Sequence, residues 1–159
     1  AVLQFADTKK YNKDILKEVA RFINFVCTGS QTTHQMFIAC CGLPVLVNLL
    51  DTNCHHDENV LFMAIEGIQS VFELQESAPK NDFCHLFIQT DALVHLSGAL
   101  WDLLNRGHSK HAVLILQILI NFSFGDVDVK AAMADPSEDG ILSNLMGCLE
   151  FLGTEAQKG

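Results

Sequence analysis

The sequence predicts an all-α fold of stacked helical units, and three observations carry this prediction. The stretch Phe37–Asp51 returns in degenerate form as Phe87–Trp101, about fifty residues later, and a third copy begins at Leu142. Apolar residues recur at spacings of three and four, the period of an amphipathic helix. With 49% of its residues hydrophobic and 18% charged, the chain has the composition of one globular domain. A fixed period of this length is typical of solenoids, whose neighbouring units complete one another's core.

The units are expected to follow one another without a long linker. Residues 12–30 should hold the last helix of a leading unit, which ends with Gly29 in the C-terminal cap position. Residues 31–82 and 83–127 should form two complete units, and residues 128–152 a truncated third one. Because the chain begins and stops within repeats, we expect it to be a piece of a larger protein.

Each complete unit should contain a short, a medium and a long helix. In the first unit we expect them at about 33–39, 43–50 and 58–74. Pro44 lies in the first turn of the medium helix, where its missing N–H does no harm. The long helix should turn a broad apolar stripe inward, formed by Leu61, Ala64, Ile65, Ile68, Val71 and Phe72.

The second unit should repeat this plan with helices at about 83–89, 92–105 and 110–124. Its long helix is apolar nearly all round, which predicts neighbours on both sides. The third unit should contain a short helix at about 129–134 and a medium helix at 141–152, without a long one.

Charge and composition exclude several classes of function. A formal net charge of −9 argues against binding to a phosphate backbone and favours a basic protein partner. The aromatic residues are eleven Phe against one Trp and one Tyr, which indicates helix packing rather than a base-stacking platform. No apolar run is long enough for a membrane span, so we expect no membrane insertion. We therefore predict a cytoplasmic protein with no nucleic-acid partner.

The cysteines are interpreted as free thiols of a reducing compartment, because no signal peptide precedes them. Five of them lie among apolar residues in helical patterns, where a free thiol acts as a small core side chain. These five are Cys27, Cys40, Cys41, Cys84 and Cys148.

Several His and Cys residues could in principle ligate a metal. They are the loop 54–57, the pair Cys84 and His85, and His108 with His111. Structural zinc sites normally show paired ligands at tight spacing, such as C-x2-C, and no such pair occurs. We interpret these residues as ordinary polar positions and expect no metal and no cofactor.

Two acidic groups could be taken for acid/base pairs, namely Glu73 with Glu76 and Asp126 with Asp128. Neither lies near a glycine-rich phosphate loop or a nucleophile motif, so solvated helix ends explain them better. We predict no catalytic residue and no enzyme activity in this chain.

The medium helix of the third unit should expose an apolar side, because its own long helix is absent. This side would serve self-association or the docking of a further repeat. It comprises Leu142, Leu145, Met146 and Leu149.

The order of short, medium and long helices resembles the armadillo repeat. The resemblance lies in Gly42–Leu50, whose pattern is Gly-Leu-Pro-Val-Leu-Val-x-Leu-Leu, and in the endings Asn24–Val26 and Asn121–Ser123. HEAT repeats, with two helices per unit, are the alternative. The resemblance implies a right-handed helical solenoid whose long helices line a concave groove.

The family's groove asparagines correspond to Asn24 and Asn121, while the intervening unit has Val71. One turn earlier the same ladder contains Gly67 and Gln117 in the two complete units. Such amides can bind the backbone of a partner peptide as donor and acceptor. The alternative is that Asn24 and Asn121 tie adjacent helix ends together.

Two further segments, Phe37–Val47 and Pro79–Cys84, are similar to a narrower family. It is the armadillo-like region that follows the kinase domain in fungal septation and mitotic-exit kinases and in plant MAP-kinase-kinase-kinase epsilon. The similarity covers about residues 32–124 and includes no kinase motif. It implies a non-catalytic module that recruits the kinase to a partner, such as a Ras-like small GTPase or a spindle-pole scaffold. The alternatives are a transport or adhesion adaptor and a self-association module.

Overall fold

The structure, a computed structural model, describes residues 12–51, 57–73, 80–135 and 141–156. Within these residues it is all-helical, with nine α-helices and no strand. The helices are α1 Lys13–Cys27, α2 Gln31–Ala39, α3 Gly42–Asn48, α4 Glu58–Glu73, α5 Lys80–Ile88, α6 Ala92–Asn105, α7 Ser109–Ser123, α8 Val127–Met133 and α9 Ile141–Ala156.

The long helices lie side by side in the order α1, α4, α7, with α4 packed against both of the others. The medium helix α6 packs against α7 and α9, and the short helix α5 contacts both α7 and α8. One continuous cluster of buried apolar side chains runs through these contacts from Val19 to Cys148. No unit could enclose such a core alone, because each helix buries its apolar side against helices of the neighbouring unit.

The inward stripe expected on α4 is confirmed, since all six of its residues are buried. Its Phe72 also meets two rings of the second unit. The ring centroid of Phe72 lies 5.4 Å from that of Phe87 on α5 and 5.6 Å from that of Phe122 on α7. These aromatic contacts join the two complete units at their shared core.

The turn that precedes the medium helix has the same backbone conformation in both complete units. Cys41 and Asp91 adopt the left-handed conformation, with φ of 56° and 55°. A Cβ added to the following Gly42 would lie 2.3 Å from the Phe37 ring. The short helix therefore folds back closely onto the start of the medium helix in this turn.

Several helix ends differ from the sequence expectation. Helix α5 begins at Lys80 rather than near 83, and its Asp82 lies in the first turn, where a carboxylate favours a helix start. Helix α8 begins at Val127 because Asp126 accepts hydrogen bonds from two of its first backbone N–H groups. Helix α9 continues past Leu152 to Ala156 and includes Gly153.

The end of α1 corrects the expectation for Gly29. The C-cap is Thr28, whose hydroxyl also donates to the Asn24 carbonyl, and Gly29 has no positive φ. Instead, a Cβ on Gly29 would approach the Thr33 hydroxyl oxygen to 2.8 Å, because the chain turns closely into α2 at this point. A left-handed glycine cap occurs at Gly107 after α6, where φ is 77°.

Two expectations about burial are wrong. Cys40 and Cys41 are exposed, because they lie in the turn between α2 and α3, whereas Cys27, Cys84 and Cys148 are buried as expected. Helix α7 is not covered on both sides by the described residues. Although it is apolar nearly all round, an outward row of its apolar side chains remains exposed.

Candidate functional site

The candidate groove residues lie on the three long helices, but their surroundings differ. The Nδ2 group of Asn24 donates to the Met63 carbonyl of α4 at 3.0 Å, in a half-buried position between the two helices. This hydrogen bond supplies the helix-tying role that the sequence left open for Asn24. A contact with a partner peptide stays a prediction.

Gly67 is buried where α4 crosses its neighbours. A Cβ at this position would lie 3.2 Å from Leu46 Cδ1 and 3.7 Å from the Cys27 side chain. Val71, one turn later, is buried as well. In the first unit, the two ladder residues Gly67 and Val71 therefore pack between helices and offer no polar group to a partner.

The second unit offers the more accessible part of the ladder. Gln117 is exposed on α7, and Asn121 is half-buried one turn later. The Asn121 Nδ2 group donates to the Gln117 carbonyl at 3.0 Å, within the same helix. The Asn121 carbonyl lies 3.8 Å from Cys84 Sγ, which links α7 to α5. Of the four candidates, Gln117 is therefore the side chain best placed to meet a partner.

A second polar cluster joins α5 to the start of α8 around Asp126. Its Oδ2 atom lies 2.8 Å from His85 Nε2 and accepts a hydrogen bond from Asn81 Nδ2 at 2.8 Å. The Asp126 backbone N–H donates back to Asn81 Oδ1, also at 2.8 Å. The Asp126 Oδ1 atom accepts hydrogen bonds from the backbone N–H groups of Asp128 and Val129. Asp126 is thus a helix cap tied to another helix, more specific than the solvated helix end that was expected.

Electrostatics in this cluster follow from the same contacts. The hydrogen bond from His85, then that from Asn81, holds the pKa of Asp126 well below its ordinary value of 3.8. The hydrogen bond to Asp126 raises the pKa of His85 above 6.5. Each group therefore favours the charged form of the other.

A third cluster connects α4 with the start of α7, and sequence reasoning missed it. Glu58 pairs with Arg106 and His108, both at 3.2 Å. The Phe62 ring stacks on His111, with ring centroids 3.8 Å apart. The hydrogen bond from Arg106, followed by that from His108, lowers the pKa of Glu58. The missed signal was the spacing of Glu58, Phe62 and Glu66, which places them on one side of a helix.

His111 also lies 3.4 Å from Glu66 Oε1, so both histidines of the candidate metal pair face carboxylates of α4. Within the described residues no group of three or more His, Cys, Asp or Glu side chains could hold a metal ion. Asp57 accepts a hydrogen bond from the Asn59 backbone N–H at 2.9 Å. The loop residues 54–56 lie outside the described part of the chain, as does Glu76.

The candidate face of α9 is partly open. Leu142, Met146 and Leu149 are exposed, whereas Leu145 is half-buried and packs against the core. An open depression of about 530 Å³ runs along this helix. It is lined by Leu142, Ser143, Met146, Gly147 and Glu150.

None of the helices in the described ranges is long and apolar enough to cross a membrane.

Comparison with known proteins places the chain beside segments of protein kinases. It is 38% identical over 103 residues to MAP3K epsilon protein kinase 1 of Brassica napus, which covers 64% of the chain and 8% of that protein. It is 34% identical over 131 residues to cytokinesis protein sepH of Aspergillus terreus, covering 80% of the chain and 10% of that protein. Cell division control protein 7 of Schizosaccharomyces pombe is 27% identical over 135 residues, covering 83% of the chain and 12% of that protein. No protein-family model matches the chain.

Proposed function

Because the chain is homologous to a segment of the MAP3K epsilon and sepH kinases, spanning only 8–10% of their length, we propose that it is a non-catalytic interaction segment of such a kinase. The segment would follow the kinase domain, lie in the cytoplasm and recruit the kinase to a partner in cell division. The observation that carries this proposal is the match over 80% of the chain to a cytokinesis protein.

The proposed architecture is an armadillo-like, right-handed solenoid, with a HEAT-like superhelix as the alternative. Two features of the described helices support it. The long helices α1, α4 and α7 lie in a row, and the short and medium helices of both complete units are joined by a left-handed residue. A row of long helices offers an extended surface rather than a catalytic pocket, which suits protein binding.

The polar clusters support a binding role in another way. Around Asp126 and around Glu58, the charged side chains pair with groups of a neighbouring helix. These charged side chains therefore serve to hold neighbouring helices together. Outside these pairs, Gln117 remains as an exposed polar side chain of α7.

The proposed partner is a Ras-like small GTPase or a spindle-pole scaffold protein. The test is a binding assay between the chain and the Ras-like GTPase of the division pathway from the same organism, loaded with GTP or GDP. We expect GTP-dependent binding, weakened about tenfold or more by Gln117→Arg, since a bulky cation at the centre of an interface disrupts it.

Met36→Arg is the matched control, because Met36 is exposed and lies on the short helix α2 rather than on a long helix. Binding that is equal for both nucleotide states would remove the GTPase from the proposal. Full binding by Gln117→Arg would move the interface away from Gln117.

A further inference from the structure

The turn between α2 and α3 places two adjacent thiols at the surface. Cys40 is the C-cap residue of α2, Cys41 is the N-cap residue of α3, and both side chains are exposed. The other cysteines of the described residues, Cys27, Cys84 and Cys148, are buried. Because a thiol that serves packing is normally buried, packing does not explain the two cysteines of this turn.

The backbone at Cys41 is equally unusual for a structural cysteine. Its φ of 56° and ψ of 41° lie in the left-handed region, which Gly, Asn and Asp tolerate better than Cys. No side-chain hydrogen bond caps α3 at this residue. Backbone conformations of this kind cluster at functional sites. The turn itself thus gains nothing from a thiol at this position.

The second unit shows that the same turn forms without thiols. The equivalent residues there are Thr90 and Asp91, fifty positions later, and Asp91 has a φ of 55°. In both units the residue with positive φ donates its backbone N–H to an isoleucine carbonyl of the short helix, at 3.0 Å from Cys41 and 3.1 Å from Asp91. A hydroxyl and a carboxylate therefore replace the two thiols without a change in the turn.

The openness of this turn is a property of the unit rather than of the ends of the chain. The second unit packs against α3 and α4 on one side and against α8 and α9 on the other. Asp91 is nevertheless exposed, and Thr90 is half-buried. A further repeat in front of α1 would accordingly leave the turn at Cys41 accessible.

Close packing supports the turn from beneath. Phe37 and Gly42 are both buried, and a Cβ added to Gly42 would collide with the Phe37 ring. The backbone N–H of Cys40 donates to the Met36 carbonyl at 3.0 Å, which continues the hydrogen bonds of α2 up to the turn. A change in the backbone at Cys40 and Cys41 is therefore transmitted to the packing between α2 and α3.

Two adjacent, accessible thiols have the arrangement of a reversible oxidation site. A hydroperoxide oxidises one thiolate to a sulfenic acid, and a neighbouring thiol displaces water from that sulfur to form a disulfide. With hydrogen peroxide, two thiols and one peroxide give one disulfide and two molecules of water. The O–O bond of the peroxide breaks, and each sulfur loses one electron. The neighbouring thiol thereby protects the first sulfur from irreversible oxidation.

We propose that Cys40 and Cys41 form a redox-sensitive modification site, a dithiol under reducing conditions that hydroperoxides convert to a disulfide between the two neighbours. The Cα atoms on either side of a trans peptide are about 3.8 Å apart, whereas those of a disulfide are usually about 4.4–6.8 Å apart. The bridge therefore strains the turn and is readily reduced again, as strained and exposed disulfides are. The strain loosens the packing between α2 and α3. The proposal goes beyond the recruitment function and does not depend on it.

The test treats the purified, fully reduced chain with a small excess of hydrogen peroxide and maps its peptides by mass spectrometry. The peptide that contains Cys40 and Cys41 should become lighter by about 2 Da, and reduced glutathione should reverse the change. Cys40→Ser and Cys41→Ser should each abolish this loss of mass. Cys54 lies outside the described residues, and Cys54→Ser is the matched control, which should be oxidised as the unchanged chain is.

Thermal unfolding measures the effect of the bridge on the turn. The Tm of the oxidised chain should be lower by about 2 °C or more than that of the reduced chain, and reduction should restore it. The bridge closes a loop of only two residues, so it restricts the unfolded chain little and the strain in the folded chain decides the sign. The Cys54→Ser control should show the same shift.

Three results would overturn the proposal. A gain of about 32 Da on the peptide, the mass of a sulfinic acid, would show that the neighbouring thiol does not resolve the sulfenic acid. A bridge from Cys40 or Cys41 to Cys54 or to a second chain would assign the oxidation to a different pair. A bridged chain with an unchanged Tm would show that the turn accepts the disulfide without strain.

Discussion

Cys41 and Asp91 occupy the same place in two successive units, and both adopt a backbone conformation that side chains usually avoid. The left-handed region costs an L-residue about 1–2 kcal/mol, less where a short polar side chain can bond locally. Asp is one of the residues that tolerates this region, whereas Cys is not. The turn is therefore more strained in the first unit than in the second.

This difference gives a prediction at the residue scale. Cys41→Gly should raise the free energy of unfolding by up to about 1 kcal/mol, because relief of strain exceeds the entropy that glycine adds to the unfolded chain. Asp91→Gly is the matched comparison and should gain less. Urea unfolding of both variants measures this, and a larger gain for Asp91→Gly would contradict the account.

At the element scale, the cap of α8 shows how one side chain can join two helices. Asp126 caps α8 and binds Asn81 and His85 of α5. Folding lowers the pKa of Asp126, so the charged Asp126 side chain stabilises the protein fully above pH 3.8. This stabilisation is lost as the pH falls through the lower pKa that Asp126 has in the folded protein. Folding raises the pKa of His85, so the protonated His85 side chain stabilises the protein fully below pH 6.5. This stabilisation is lost as the pH rises through the higher pKa that His85 has in the folded protein.

The two contributions therefore overlap between pH 3.8 and 6.5. Asp126→Asn should lower Tm most in this window, with a smaller loss on either side of it. Asp128→Asn is the comparison and should lower Tm less, because the Asp128 side chain adds only a Coulombic contribution to the raised pKa of His85, smaller than the contributions of Asp126. Thermal unfolding at a series of pH values measures the difference in Tm between the Asp126→Asn variant and the unchanged protein. A difference that does not vary with pH would contradict the role of charge.

At the scale of the whole molecule, the contacts between units hold the stack together. Phe72 of the first unit meets Phe87 and Phe122 of the second in one buried cluster. Loss of a ring from this cluster weakens both units at once, since neither has a core of its own.

Phe122→Ala should accordingly lower the free energy of unfolding by about 3–5 kcal/mol, the usual cost of removing a buried ring. Phe124, the C-cap residue of α7, comes two residues later but is 84% exposed. Phe124→Ala should change stability by no more than about 0.5 kcal/mol. Urea unfolding of the two variants at low protein concentration compares them, and equal midpoints would contradict a shared core at Phe122.

Much of this architecture follows from the sequence alone. The spacing of apolar residues predicted helix α6 at its observed ends and located the others within a few residues, because helical periodicity and turn residues are local properties. The inward stripe of α4 was predictable for the same reason. The errors at α5, α8 and α9 concern helix ends, where caps such as Asp126 depend on partners in other elements.

Tertiary packing alone decided the rest. A sequence pattern shows that Gly67 and Asn24 lie on long helices, but not that Gly67 is buried against Leu46 or that Asn24 binds Met63. The repeat period of about fifty residues likewise could not show which side of α7 remains exposed. Such facts depend on how helices far apart in sequence cross, which no local pattern encodes. The sequence determined the helices and their repeat, and the crossing of those helices determined which surfaces remain for a partner.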